Sequence, residues 1–160
     1  IGIPGAKGRL GSVPESFFSI IEGMGVPVLI EADGARMLPL KCPGSKEPVI
    51  PGRTTHVLSV YGLDAVGQRM EEICFRPERA AKLLDKKITE PVAAEDIGRL
   101  AASEEAGRKG CPEDAVYTVV LNKADDSQRI EMAAEIGAFL EQQGVTRVIV
   151  TSFRRPERGT

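Results

Sequence analysis

The chain of 160 residues has no tryptophan, two tyrosines, five phenylalanines, three cysteines and a single histidine. So few aromatic rings argue against stacking on single-stranded nucleic acid. A net charge of −2 leaves no basic footprint for a nucleic acid or an anionic membrane surface. With His56 alone, histidine-based metal sites are excluded. Cys42, Cys74 and Cys111 are odd in number and far apart, which suits neither a disulfide framework nor a zinc site. Scattered thiols fit a reducing cytoplasm. No apolar run approaches the roughly 20 residues of a membrane-spanning helix. The opening I-G-I-P-G-A-K-G is not a charged leader followed by an apolar stretch. The expectation is a cytoplasmic protein with neither nucleic acid nor membrane as a partner. The start at Ile1 rather than methionine suggests a fragment or a processed product.

What the chain does contain is an ordinary globular balance, 42% hydrophobic and 28% charged. Its length suits one domain with a sizeable core. Four β-branched, apolar runs read as strands: 26–33, 55–62, 115–122 and 146–152. The first and third are nearly continuous, as in strands covered on both faces. Helices are expected between them. One opens at Pro14 and stops at Gly23 or Gly25, with Ser12 as N-cap. Another starts at Pro77, and a third covers A-A-E-D-I-G-R-L-A-A-S-E-E. A fourth lies between Gln128 and Gly144, with Ile130, Ala133, Ala134, Gly137 and Leu140 or Phe139 on its apolar face. Alternating strands and helices predict a three-layer α/β domain with a mainly parallel sheet. Residues 36–54, rich in Pro, Gly, Lys and Arg, read as a long functional loop.

Two motifs carry chemistry. Asn122-Lys123-Ala124-Asp125 ends a strand, and parallel sheets bind ligands beyond their strands' carboxyl ends. Asp125 can accept hydrogen bonds from the N1–H and exocyclic amine of guanine, a pairing adenine lacks. Asn122 can bond N7 or tie loops together, and the Lys123 stem can cover the base. The plainer reading is a solvated loop in which Asp125 or Ser127 caps the next helix. The second motif is Glu31-Ala32-Asp33-Gly34. Two carboxylates beyond a buried strand suit Mg²⁺, and Gly34 lets its amide approach a phosphate. A simple turn at Asp33-Gly34 is the alternative. Arg36 and Lys41 flank it and are candidate contacts to a phosphate or a partner's acidic group, with a solvated loop as the alternative; Arg76 is a further candidate, unless R-P-E-R only opens a helix. Asp64 and Thr151-Ser152 also end strands and face the same region, unless they only cap backbone. The three cysteines read as ordinary thiols.

These residues, in this order, resemble a family of accessory proteins of selenium-dependent hydroxylases called YqeC. The resemblance runs through I-E-A-D-G-A-R, P-L-K-C-P, E-P-V-I-P, T-T-H-V-L-S-V-Y-G-L-D-A-V-G, F-R-P-E-R-A and L-N-K-A-D. It implies an incomplete P-loop NTPase-like domain over 1–160. The family's phosphate loop precedes the region present here. No G-x-x-x-x-G-K-[ST] occurs, and Gly5-Ala6-Lys7-Gly8 has neither the spacing nor the hydroxyl, so it reads as a loop. For the full-length protein the resemblance implies GTP binding and slow Mg²⁺-assisted hydrolysis. Asp33, helped by Glu31, would organise the metal and its water, and Asn122, Lys123, Asp125 and Gly34 would bind the nucleotide. The partners implied are a client molybdenum hydroxylase or its maturation factors. The chain alone is expected to bind nucleotide weakly or not at all. A non-catalytic interaction module and a phosphotransferase are the alternatives.

Overall fold

Three of the four apolar runs form one parallel sheet. In the computed structural model, which describes residues 3–4, 10–11 and 13–153, the chain falls into two units, Ile1–Glu31 and Ala32–Thr160. In the first, β1 (Ile3–Pro4) pairs antiparallel with β2 (Leu10–Gly11), and α1 (Glu15–Gly23) follows. Gly25, at φ 65°, ends the α1 segment in the left-handed region that glycine reaches without strain. Ser12 and the string 5–8 lie outside the described residues.

The run 26–33 is not a strand, contrary to expectation. Continuous apolar character specifies a buried strand only where neighbours take up its N–H and C=O groups. Pro27 also removes one donor from any such ladder. The inference that Glu31 and Asp33 share a strand face therefore has no strand beneath it. Glu31 closes the first unit and Asp33 lies near the start of the second.

The second unit holds the sheet. In it, β3 (Leu40–Lys41) pairs in parallel with β5 (Cys74–Phe75). Strands β4 (His56–Gly62), β6 (Val116–Asn122) and β7 (Val148–Thr151) form a second parallel ladder in the order β4-β6-β7. The fold is thus α/β with mainly parallel pairing, consistent with a P-loop NTPase-like architecture. Among the described residues, no helix is long and apolar enough to cross a membrane.

Helices α2 (Met70–Ile73), α3 (Pro77–Leu84), α4 (Ala94–Ala102) and α5 (Ser127–Gln142) connect the strands. Proline at the first turn of α3 loses no useful donor. At the start of α4, buried Asp96 accepts from the Ala93 N–H at 2.8 Å and from the Lys86 ammonium at 2.5 Å, so its charge is matched. Helix α5 is capped by Asp126, which accepts from the Arg129 N–H at 2.9 Å; neither Asp125 nor Ser127 does this. Its buried stripe is Ala133, Ile136 and Leu140, while Ile130 and Ala134 are exposed. The buried face is thus rotated from the expected one, sharing only Ala133 and Leu140 with it.

Helices α4 and α5 pack together, and Gly98 makes that possible: a Cβ there would lie 2.6 Å from Cδ1 of Phe139. Tyr61, Val119 and Leu121 are buried on one face of the sheet. Burying side chains of this size stabilises by about 1.5–3 kcal/mol each. On β4, at the edge, Leu58 and Val60 remain exposed.

Candidate functional site

The ladder register sets Gly62, Asn122 and Thr151 side by side at the carboxyl ends of three parallel strands. Adjacent strands lie about 4.8 Å apart, so these ends form a narrow ledge. Asn122 is held there through its carbonyl oxygen. Oδ1 accepts from the Lys123 N–H at 2.8 Å and from the Thr151 hydroxyl at 3.0 Å. That turn places Lys123 in the left-handed region, φ 64°. Lys123 then reaches back across the ledge, its ammonium 2.6 Å from Asp64 Oδ2.

Asp125 is fixed from two sides. The Ser152 hydroxyl donates to Oδ1 at 2.5 Å, and Arg129 stands 3.7 Å from Oδ2. These contacts orient the carboxylate. Thr151 and Ser152 thus bond to side chains of the tetrad. Asp64 is not a helix N-cap: it lies in the first turn of the 3-10 segment Leu63–Ala65, whose N-cap is Gly62. Its Oδ1 is buried with no hydrogen-bond partner and lies 2.5 Å from where a Cβ on Gly62 would be. Only glycine fits at 62, because that Cβ would also meet Pro39.

Pro39 links this ledge to the acidic turn. Its carbonyl accepts from the Gly62 N–H at 2.9 Å. Six residues earlier, the Asp33 carboxylate makes an ion pair with Lys41, whose ammonium also donates to the Gly34 carbonyl at 2.7 Å. Lys41 lies 3.9 Å from Glu47, and Glu47 pairs with Arg76 at 2.6 Å. Desolvation works against ionising Glu47. The Gly44 N–H, Arg76 and Lys41 outweigh it and hold the carboxyl below its ordinary range. Arg36, Arg76 and Lys41 all lie over the ring of Phe75, at 4.4, 4.3 and 5.5 Å from its centroid. Lys109 donates to the carbonyls of Gly44, Ser45 and Glu47, closing the loop onto the body of the unit.

The candidate residues therefore form two groups: Asn122, Lys123 and Asp125 with Asp64, Thr151, Ser152 and Arg129; and Asp33, Gly34, Arg36, Lys41 and Arg76 with Glu47 and Phe75. Glu31 belongs to neither. Phe75, Glu47, Lys109 and Arg129 went unnoticed in the sequence. Only Arg129 left a signal, its i,i+4 spacing from Asp125.

The thiols are quiet. Cys42 is fully buried, and desolvation raises its pKa despite the nearby Arg79, Lys109 and Arg76. Burial pushes Cys74 up to about 12. Neither has the exposed, electropositive setting of a reactive thiolate. Among the described residues, no three or more His, Cys, Asp or Glu side chains gather as a metal site.

Comparison with known proteins gives two matches. A family model described as "YqeC protein" matches residues 1–78. A protein of Escherichia coli (strain K12), described as "Uncharacterized protein YqeC", is 25% identical over 140 residues. That alignment covers 86% of this chain and 55% of the relative, so the chain spans about half the length of the curated relative it matches. No solved structure matches.

Proposed function

The chain belongs to the YqeC family, and from that premise we propose that the whole protein binds a guanine nucleotide and hydrolyses GTP with Mg²⁺. The observation that carries this reading is the locked pair of side chains at the strand ends. Asn122 is held by Thr151, and Asp125 by Ser152. A carboxylate fixed in this way offers acceptors to the N1–H and amine of guanine. Against adenine it would face a bare ring nitrogen, which is costly when desolvated. Lys123, tied to Asp64, lays its aliphatic stem along the same ledge.

Mg²⁺ needs hard oxygens and takes only one or two protein carboxylates where phosphates and water complete its shell. Asp33 fits that role. The ion would have to displace Lys41 from Asp33. Bound there, the metal would neutralise charge on the phosphoryl group. Gly34 offers its amide beside it. The client of this activity, in our reading, is the maturation of selenium-dependent molybdenum hydroxylases.

Titration calorimetry with GDP, GTP and ATP, on the chain and on a longer YqeC protein, tests the base assignment. Guanine nucleotides should bind in preference to ATP, and Asp125→Ala should erase the preference. Equal affinity for ATP, or an unchanged preference in Asp125→Ala, removes the reading. One observation favours the alternative of a non-catalytic interaction module: Asp33, Lys41, Glu47 and Arg76 pair with one another.

A further inference from the structure

Three cations share one aromatic ring in the second unit. The guanidinium carbons of Arg36 and Arg76 lie 4.4 and 4.3 Å from the Phe75 centroid, and the Lys41 ammonium lies 5.5 Å from it. Each is attracted to the ring's electron-rich face, but they repel one another. Two have carboxylate partners: Lys41 with Asp33, and Arg76 with Glu47 at 2.6 Å. Arg36 has none among the described residues. Lys109 adds a further positive charge at the same loop, bound to carbonyls only. The cluster thus carries more positive than negative charge, although the chain as a whole is slightly acidic.

The backbone is strained to hold this arrangement. Arg36, Met37 and Arg76 have φ of 53°, 65° and 66°. A Cβ crowds the following carbonyl oxygen in that region, so non-glycine residues disfavour it. Such outliers gather where a structure over-determines a functional geometry. Here the strained residues include both arginines that meet at the ring. The loop is also fitted closely over Arg76: a Cβ on Gly44 would come within 3.3 Å of its guanidinium and of Glu47 Oε2. Stacked guanidinium groups have already lost much of their conformational freedom, and their N–H forks match tetrahedral oxyanions.

We propose that Arg36 and Arg76, stacked on Phe75 and backed by Lys41, form a binding site for a multiply charged phosphoryl group. The site requires no recognition of guanine. Its occupant is either the polyphosphate tail of a nucleotide or a small phosphorylated compound, and both present the same terminal oxyanion.

Pyrophosphate is the probe, added without nucleotide to the full chain and followed by calorimetry and by the ring resonances of Phe75. Saturable binding that shifts those resonances is expected. Arg36→Gln, whose side chain is exposed, should fold normally and lose affinity about tenfold or more. Arg36→Lys should recover little of it, because the fork is missing. Arg69→Gln, a surface charge elsewhere, should bind pyrophosphate as the parent chain does. Competition by GTP would assign the site to a nucleotide tail, and lack of competition to a separate phosphorylated compound; either supports the site. No saturable binding, unchanged affinity in Arg36→Gln, or an equal loss in Arg69→Gln would overturn it. The guanine reading can fail at Asp125 while this site survives.

Discussion

The ammonium of Lys123 meets Oδ2 of Asp64 at 2.6 Å, joining residues 59 apart in sequence across the ends of two neighbouring strands. The pair is partly exposed, 43% at the lysine and 31% at the acid. Exposed pairs contribute about 0–1 kcal/mol, and Asp64 also carries a buried oxygen with no donor. Asp64→Ala should therefore change stability by no more than about 1 kcal/mol in urea unfolding. A loss above about 2 kcal/mol would show that Asp64 holds the ledge together.

Lys123 itself sits at φ 64°. Glycine adopts that conformation without a Cβ clash, whereas alanine keeps the clash and loses the ammonium. Lys123→Gly should match or exceed Lys123→Ala in stability, by up to about 1 kcal/mol. Parallel denaturation curves check the order; alanine ahead of glycine would refute it.

Gly107 is wedged beneath the tyrosine pair. A Cβ there would lie 2.5 Å from Tyr61 Oη, 2.6 Å from the Ala101 carbonyl and 2.7 Å from Tyr117 Oη. Tyr117 donates to that carbonyl at 2.7 Å. Gly107→Ala should cost about 1–3 kcal/mol by overpacking. A thermal midpoint equal to that of the parent chain would contradict this close fit.

Thiol labelling should proceed in steps. Cys111 is partly exposed, while Cys42 and Cys74 are buried with their thiol pKa values raised by desolvation. One equivalent of alkylating reagent should react with the native chain at neutral pH, and the other two only on unfolding. Rapid labelling of Cys42 in the native state would show that the segment after β3 opens.

Glu47 gives the chain a dependence on acid. Its folded pKa lies below the ordinary 4.5, held down by Gly44, Arg76 and Lys41 against desolvation. A depressed carboxyl contributes stability in full above its unfolded value and loses it as the pH falls through the folded value. The advantage of the parent chain over Glu47→Gln should thus persist near neutrality and shrink below pH 4.5. An advantage that grows in acid would mean the carboxyl is protonated in the folded state.

Much of this architecture was legible in the residues. The strands 56–62, 116–122 and 148–151 carry β-branched runs closed by polar residues, and Pro77 marked a helix start that the fold uses. Periodicity reports burial only when the neighbours are present, which is why 26–33 read as a strand. The N-K-A-D tetrad was visible because its spacing is local. Its supports Thr151, Ser152 and Asp64 could be read only as strand-end candidates, because their meeting with the tetrad depends on the register of β4, β6 and β7. Phe75 was hidden for a related reason. A single ring in F-R-P-E-R gives no sign that Arg36, from a loop nearly forty residues earlier, will settle on it.

Among the described residues, strand β4 ends the sheet, with Leu58 and Val60 exposed. Among those residues, most of its outward N–H and C=O groups have no further strand to meet, apart from the tie between Gly62 and Pro39. A bare, greasy margin of this kind is a template for another backbone. Prepared by itself at high concentration, the chain should self-associate along that rim, and a lysine at position 58 or 60 should keep it monomeric in sedimentation experiments.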